Sequence, residues 1–223
     1  ATADKSAFTR EDMDAYAIRS LARANTAIAD GAFVNEISPV TIKSRRGDSV
    51  FAIDEQPGNA RPDKIPSLRP AFKKDGTITA ANSSSISDGA AALVMMKLSA
   101  AKKRGLTPLC KIVAHAMHAQ KPAEFTVAPV GAMKKVLAKA NWTTADVDLF
   151  EINEAFAMVT MLGIKELELD VTKVNVNGGA CALGHPLGAS GARIMVTLIH
   201  ALKNRGLSKG LAALCIGGGE GTA

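Results

Sequence analysis

Aromatic residues and cysteine are scarce in this chain of 223 residues. Aromatic side chains make up 4% of it, so the hydrophobic core must consist mainly of aliphatic residues and methionine. The 3 cysteines, Cys110, Cys181 and Cys215, are an odd number and lie far apart. This excludes a scaffold held by disulfides and favours a reducing, intracellular compartment.

Long hydrophobic runs are also absent. A membrane-spanning helix needs roughly 18 consecutive apolar residues. The best candidate, Gly89–Met96, is followed by Lys97 and by basic residues at 102–104. Residues 1–6 carry no charged leader ahead of an apolar stretch, so no secretory signal is predicted. We therefore expect a protein without a membrane span in a bacterial cytoplasm, with an organelle matrix as the alternative.

Neither sign of charge dominates the sequence. Lys and Arg outnumber Asp and Glu by 27 to 21, and the positive residues are not interleaved with aromatic residues. This gives little support to nucleic-acid binding, although a net charge of +6 suits a ligand that carries phosphates. No Cys-x-x-Cys pair accompanies Cys181, His185 and Cys215, so no metal site is predicted.

The N-terminal part predicts a helix, a hairpin and a loop. Thr9 is expected to cap a helix whose apolar residues recur at helical spacing over 13–28, and Gly31 is expected to end it. Two β-prone runs within 37–53 flank a charged turn that contains glycine, which predicts a β-hairpin. Four prolines within 56–70 predict a long loop.

After Gly76, strands and helices alternate. Ser87 and Asp88 are expected to cap a buried, alanine-rich helix that Gly105 ends. The remaining pattern predicts strands at 109–116, 148–152, 174–176 and 211–216 and helices at 129–140, from 154 and at 189–204. This alternation predicts an α/β fold in which helices cover layered sheets.

Three segments place reactive side chains among small residues at predicted strand-to-helix turns, where open α/β sheets carry their sites. They are 151–157, 177–193 and 215–221. Their chemistry-bearing motifs are Asn153-Glu154-Ala155-Phe156, Gly184-His185-Pro186 and Cys215-Ile216-Gly217-Gly218-Gly219. Alone, each has a plain structural explanation: a cap for Asn153, a turn for His185 and a core thiol for Cys215.

Together, the three motifs resemble those of the thiolase family, which includes acetyl-CoA acetyltransferases and 3-ketoacyl-CoA thiolases. The resemblance covers essentially the whole chain. It implies a thiolase-like layered fold with mixed sheets between helices. It also implies acyl transfer of the kind used in fatty acid metabolism. The expected reaction is a reversible Claisen condensation of acyl-CoA thioesters, or thiolytic cleavage of a 3-ketoacyl-CoA. Coenzyme A thioesters would be the substrates, with no further cofactor, and the protein would be a homodimer or homotetramer.

The resemblance also implies roles for individual residues. Asn153 would orient a water that stabilises the enolate oxygen together with His185. His185 would also activate the nucleophilic thiol, and Cys215 would move a proton to and from the α-carbon or the leaving sulfur. The N–H of Gly217 would contribute to a second oxyanion hole. These roles are physically reasonable, because a thiol with a pKa of about 8.5 needs a neighbouring base to react near neutral pH.

A coenzyme-binding stretch is similar to that of the family at 68–72 and 80–84. The resemblance implies that Ser84 hydrogen-bonds the pantetheine arm of coenzyme A. It also implies that four residues pack along this arm, namely Phe72, Ala80, Ala155 and Phe156. The preceding loop departs from the family pattern, because Pro57 stands where an arginine contact to the adenine end is expected. Arg61 or Lys64 would have to replace that contact.

Family members also carry a first half with a nucleophilic cysteine, and no cysteine of this sequence matches that motif. We therefore expect three parts. Residues 1–86 would form a loop domain that covers the substrate, and 87–105 the last helix of an otherwise absent N-terminal half. Residues 106–223 would form the C-terminal half without its last strand. We expect this chain alone to be inactive.

Two other functions remain open. A decarboxylating condensing enzyme, such as a 3-ketoacyl synthase, typically carries a second histidine where Asn153 stands and needs no base at Cys215. A non-catalytic module that binds acyl-CoA or lipid is the alternative from a different functional class. The missing nucleophile favours it, whereas the intact set of reactive residues disfavours it.

Overall fold

The computed structural model describes residues 2–223. The N-terminal helices are α1 (Thr2–Ser6) and α2 (Arg10–Ala29). The predicted cap of α2 is confirmed as a capping box. The Thr9 hydroxyl accepts from the Asp12 backbone N–H at 3.1 Å, and the Asp12 carboxylate accepts from the Thr9 N–H at 2.9 Å. The chain leaves the helix through Gly31, whose φ of +69° favours glycine.

The predicted hairpin is present and is exposed on both faces. Strands β1 (Val40–Ile42) and β2 (Ser49–Phe51) pair antiparallel, and the turn between them contains Gly47 at a φ of +113°. The predicted loop at 56–70 is more regular than expected. It contains most of helix α3 (Glu55–Asn59) and a 3₁₀ helix, Pro62–Ser67, because proline is tolerated in the first turn of a helix.

The expected alanine-rich helix over 87–105 is wrong for most of its length. Helix α4 is confined to Leu98–Lys103, and residues 89–97 are not helical. Helical propensity alone rarely stabilises so short a helix without a packed apolar face. Here Val94, Met95 and Met96 are all exposed, so the non-helical part of the segment has no packed apolar face. The backbone before this segment is committed elsewhere, since Ile86 forms a β-bridge with His185.

The C-terminal part contains most of the regular structure. Its elements in chain order are β3 (Met117–Ala119), α5 (Ala128–Ala140), β4 (Leu149–Ile152), α6 (Ala157–Glu166), α7 (Ala180–Leu183), α8 (Ser190–Asn204), β5 (Gly210–Cys215) and β6 (Glu220–Thr222). The strands form a mixed sheet in the order β3-β6-β5-β4, in which only β4 and β5 are parallel. The sequence did not predict β6. The predicted strand at 109–116 is not formed, and that at 174–176 is reduced to β-bridges.

Helices cover both faces of this sheet, as an α/β layered fold requires. Along β5, Leu211 and Ala213 pack into the cluster that includes residues of α5, whereas Ala212 packs against the cluster of α8. Side chains alternate between faces along a strand, so α5 and α8 lie on opposite sides. The layered α/β fold is therefore confirmed.

Candidate active site

The candidate site lies where the two parallel strands end. Ile152 of β4 is opposite Ala213 of β5, and the N–H of Asn153 donates to the carbonyl of Ala213 at 2.9 Å. The carboxyl ends of β4 and β5 are therefore neighbours, which places Asn153 and Cys215 on the same edge of the sheet. Such an edge is the usual position of ligand sites in open α/β sheets.

Asn153 and His185, 32 residues apart in the chain, come together in space. The amide Nδ2 of Asn153 lies 3.5 Å from Nε2 of His185. Asn153 is only 1% exposed, and its Oδ1 has no hydrogen-bond partner among residues 2–223. The pair therefore brings an imidazole nitrogen next to the amide nitrogen of Asn153, while the buried amide oxygen keeps its accepting capacity unused.

The backbone of the His185 loop is held from two sides. The N–H of His185 donates to the carbonyl of Ser85 at 3.0 Å. Gly184 has a φ of +87°, and a Cβ at this position would collide with the Ser87 hydroxyl. The positive φ and the close approach of Ser87 both require glycine at the position before the histidine.

The imidazole of His185 is also held, and its charge state is shifted. Its Nδ1 lies 2.5 Å from the hydroxyl oxygen of Ser190. Partial burial, assisted by the positive charge of Arg193, lowers the pKa of His185 below its usual value. The imidazole is therefore neutral at pH 7 and able to accept a proton.

Cys215 ends β5 with its side chain in the sheet interior, only 6% exposed. Burial raises the pKa of its thiol to about 11, so the thiol is protonated at neutral pH. The turn after it is closed by the N–H of Gly219, which donates to the carbonyl of Ile216 at 3.0 Å. Gly217 lies exposed in this turn, and a Cβ there would meet nothing within 4 Å. Its backbone is thus open to a ligand.

Sequence reasoning assigned no role to Glu154, which the structure places at the centre of the site's support. This side chain is fully buried. Its carboxylate accepts four hydrogen bonds, from the Tyr16 hydroxyl at 2.8 Å, the Ser20 hydroxyl at 2.7 Å, the Asn175 amide at 2.8 Å and the Cys181 N–H at 3.0 Å. These donors join α2 and α7 to the loop that carries Asn153. The sequence gives one sign of this role, because the charged Glu154 lies between Asn153 and the apolar residues Ala155 and Phe156.

Asn175 supports the end of β4 with its side chain. It adopts a φ of +48°, which asparagine tolerates better than most residues. Its amide accepts from the N–H of Ile152 at 2.8 Å and donates to the carbonyl of Ile152 at 2.8 Å. The Asn175 side chain thus forms with the backbone of Ile152 the two hydrogen bonds that a neighbouring strand would otherwise form.

The predicted coenzyme-binding stretch is fixed by Asn82, which is completely buried. Its side-chain oxygen accepts from the Thr79 N–H at 2.9 Å, and its Nδ2 donates to Asp14 at 3.0 Å. Two residues later, the N–H and the hydroxyl of Ser84 both donate to the carbonyl of Ala155 at 3.1 Å. This stretch therefore lies directly beside the loop that follows Asn153.

Aromatic rings extend from this contact to the surface. The rings of Phe72 and Phe125 each approach Phe156 edge-on, with centroids 6.4 Å apart. Phe72 is 73% exposed, and Ala80 of the same stretch is also exposed. The sequence pattern does not indicate the contact from Phe125. The predicted apolar residues and Ser84 thus lie on neighbouring segments, next to the loop that follows Asn153.

The departure at Pro57 has a structural counterpart. Pro57 is buried within α3 and presents no donor, whereas Arg61 and Lys64 are both exposed. Either basic side chain is therefore accessible to an anionic ligand.

The three cysteines are unpaired, and no group of three metal-ligating side chains is found within residues 2–223. None of the helices in this part of the chain is both long and apolar enough to cross a membrane.

Comparisons with known proteins identify the family of this chain. Residues 1–99 match the family model described as the N-terminal domain of thiolase, and residues 106–223 match the C-terminal domain of thiolase. The acetyl-CoA acetyltransferase of Thiocystis violacea is 51% identical over 99% of this chain and 57% of its own length. That of Escherichia coli is 52% identical over 96% of this chain and 55% of its own length.

Solved structures give the same result. The crystal structure of the Bacillus anthracis acetyl-CoA acetyltransferase matches with a TM-score of 0.95 at 48% identity, covering 99% of this chain and 56% of that one. The structure of human mitochondrial 3-ketoacyl-CoA thiolase matches with a TM-score of 0.91 at 40% identity and the same coverage. This chain thus spans little more than half the length of these relatives. With both family models and the fold in agreement, the chain belongs to the thiolase family.

Proposed function

We propose that the protein catalyses the reversible Claisen condensation of acetyl-CoA with an acyl-CoA, and the reverse thiolytic cleavage of a 3-ketoacyl-CoA. One observation carries the proposal. Asn153 lies 3.5 Å from the imidazole of His185, at the carboxyl end of the strand next to the one that ends in buried Cys215. An amide, a neutral base and a thiol at one sheet edge are the groups that this chemistry uses.

His185 performs the first proton transfer. Its neutral imidazole takes the proton of the acyl-accepting thiol, and the resulting thiolate attacks the thioester carbonyl. The bond from this carbon to the coenzyme A sulfur then breaks, so the acyl group stays on the cysteine and coenzyme A leaves. The imidazolium formed then donates from the same nitrogen toward the oxygen that becomes negative. Asn153 orients a water toward that oxygen. Fixed donors of this kind stabilise charge that develops only during reaction.

Cys215 performs the second proton transfer. Its thiol first gives its proton to the coenzyme A sulfur that leaves during acylation, and the thiolate that remains then removes a proton from the α-carbon of acetyl-CoA. The enolate carbon then bonds to the acyl carbon, and the nucleophilic thiolate leaves. A pKa of about 11 makes this thiolate a stronger base than an ordinary cysteine. The N–H of Gly217 helps to hold the thioester oxygen.

Coenzyme A binds along Ser84 and the aromatic surface. The single hydroxyl hydrogen of Ser84 is donated to the carbonyl of Ala155, so toward a ligand its oxygen acts as an acceptor. An amide N–H of the pantetheine arm supplies the matching donor. The arm packs against Phe72, Ala80 and Phe156, and residues 1–86 cover it.

The acyl-accepting cysteine is none of the three in this sequence. Burial raises the pKa of Cys181 well above its usual value and that of Cys215 to about 11, so neither is a thiolate in the substrate-free protein. Cys110 is exposed and no catalytic side chain contacts it among the hydrogen bonds of the described residues. These facts favour an alternative for the chain by itself, a module that binds acyl-CoA without turnover. We also propose that the complete enzyme is a cytoplasmic homodimer or homotetramer.

Calorimetric titration of coenzyme A into the purified chain tests the binding part of the proposal. We expect Ser84→Ala combined with Phe156→Ala to weaken binding by about tenfold or more, which corresponds to about 1.4 kcal/mol. Ser208→Ala, at an exposed serine on the far end of the sheet, is the matched control and should leave the affinity unchanged. Unaltered affinity in the double variant would remove coenzyme A from this surface.

A separate assay tests the assignment of the nucleophile. The chain alone is expected to show no cleavage of acetoacetyl-CoA in the presence of coenzyme A. Turnover at a rate typical of enzymes would mean that one of its own cysteines accepts the acyl group.

A further inference from the structure

Ser190 is a buried polar residue in contact with the catalytic imidazole. It begins α8 and is only 2% exposed. Its hydroxyl oxygen lies 2.5 Å from Nδ1 of His185 and donates to the carbonyl of Pro186 at 3.1 Å. The hydroxyl therefore has two partners of different kinds.

The two partners determine where the protons lie. A hydroxyl has one hydrogen, and the Pro186 carbonyl is able only to accept it. With the hydroxyl hydrogen on that carbonyl, a lone pair of the hydroxyl faces His185, which matches a neutral imidazole with its hydrogen on Nδ1. Nε2 then keeps a lone pair, which faces the Nδ2 donor of Asn153 at 3.5 Å.

The carbonyl of Pro186 does not need this hydroxyl for its own satisfaction. It already accepts the backbone N–H of Ser190 at 2.9 Å, as the first turn of the helix requires. The extra bond from the side chain fixes the direction of the hydroxyl hydrogen. That direction is what makes the oxygen an acceptor toward the imidazole.

From this geometry we propose that Ser190 is a positioning residue that fixes the tautomer of His185, with hydrogen on Nδ1 and Nε2 free to accept a proton. This rests on the proposed function, in which Nε2 takes the thiol proton. An imidazole in water prefers the opposite tautomer, with hydrogen on Nε2, and that form has no lone pair on the side of Asn153. A tautomer held by a neighbouring acceptor is a recognised requirement for a histidine base.

Nitrogen NMR of the histidines reads this tautomer directly in the substrate-free chain. Long-range correlations in a ¹⁵N-labelled sample distinguish a protonated from a bare ring nitrogen. At a pH where His185 is neutral, we expect hydrogen on Nδ1 in the unmodified chain and in Ser190→Thr, which keeps the hydroxyl. In Ser190→Ala we expect a shift toward hydrogen on Nε2.

A second histidine supplies the matched control. Nε2 of His115 lies 2.9 Å from the hydroxyl of Thr222, so Thr222→Val removes a hydroxyl partner from a different ring. This variant should leave the His185 signals unchanged. Two results would overturn the proposal: hydrogen on Nε2 of His185 in the unmodified chain, or a tautomer that Ser190→Ala does not change. The measurement on the unmodified chain tests the proposal even if the variants fail to fold.

Kinetics in a full-length thiolase that carries these residues separates positioning from binding. Ser190→Ala is expected to lower kcat by about a hundredfold, within the range for lost acid–base catalysis, while KM for coenzyme A stays within a few-fold. Equal changes in both constants would indicate a structural role instead. Failure of coenzyme A to bind the unmodified chain would count against the proposed function but not against the tautomer.

Discussion

The sheet edge that carries Asn153 and the segment 86–113 differ in how their side chains are held. Asn153 and Glu154 are almost fully buried, and contacts within the chain fix the backbone around both. In the segment, Val94 and Met95 are 89% and 69% exposed, and Ile86 is 90% exposed. The geometry of the candidate site is therefore set within this chain. The conformation of the segment is not fixed by comparable packing, although its sequence contains many apolar residues.

The largest effect is expected for Cys215 at the sheet edge. In a full-length thiolase that carries these residues, Cys215→Ala should lower condensation by about 10²–10⁴-fold, the range for a lost general base. Acylation of the nucleophile by acetyl-CoA should persist, and mass spectrometry should detect the covalent acetyl group. His185→Ala should impair acylation as well. Normal condensation by the Cys215 variant would make this thiol a core residue only.

Glu154→Gln is expected to have the next largest effect, on stability. All four partners of the carboxylate donate hydrogen bonds, and the backbone N–H of Cys181 has no means of reversing its role. An amide NH₂ would therefore face at least one donor, at a cost of about 2–4 kcal/mol. The free energy of unfolding in urea measures the loss. Glu166→Gln, at an exposed position of α6, is the control, and equal losses in the two variants would refute the network.

These contacts also show how much the sequence is able to reveal. Asn153, His185 and Cys215 are predictable because each reactive side chain ends a strand pattern or sits among glycines. Glu154 accepts hydrogen bonds from partners 21 to 138 residues away in the chain, which no local pattern reports. Ser190 contacts His185 only five residues away, yet nothing in the local sequence distinguishes a serine at a helix start from one that fixes a histidine tautomer. The wrong helix over 87–105 has the converse cause. Its alanine-rich sequence favours a helix, but helix formation depends on a packed face that local sequence does not report.

Burial of Glu151 predicts a dependence of stability on pH. Burial, together with the charges of Glu154 and Glu36, raises its pKa from 4.5 to about 8 against the opposing charges of Arg193 and Arg205. Because the folded state holds this proton more tightly, its stabilising contribution is full below pH 4.5 and is lost as pH rises through about 8. A pKa difference of one between the folded and unfolded states corresponds to about 1.4 kcal/mol of unfolding free energy.

Thermal unfolding between pH 5 and pH 8 measures this effect of Glu151 in the window set by its two pKa values. The unfolding temperature should fall as pH rises. Glu151→Gln, which is always neutral, should flatten the profile. A residual slope is expected from Glu36, whose pKa burial raises to about 7. An unchanged profile in the Gln variant would show that Glu151 is not the group responsible.

The smallest effect is expected where the two regions are compared most directly, with one substitution made in each. Val159 of α6 is 1% exposed and Val94 of the segment 86–113 is 89% exposed. Removing two buried methyl groups in Val159→Ala should cost about 1–3 kcal/mol, because the lost burial is accompanied by a cavity. Val94→Ala should change the unfolding free energy by less than about 0.5 kcal/mol. Urea denaturation at several protein concentrations tests both. If Val94→Ala costs more than about 1 kcal/mol and this cost grows with protein concentration, a second copy of the chain covers the segment. The difference in packing between the two regions would then exist only in the monomer.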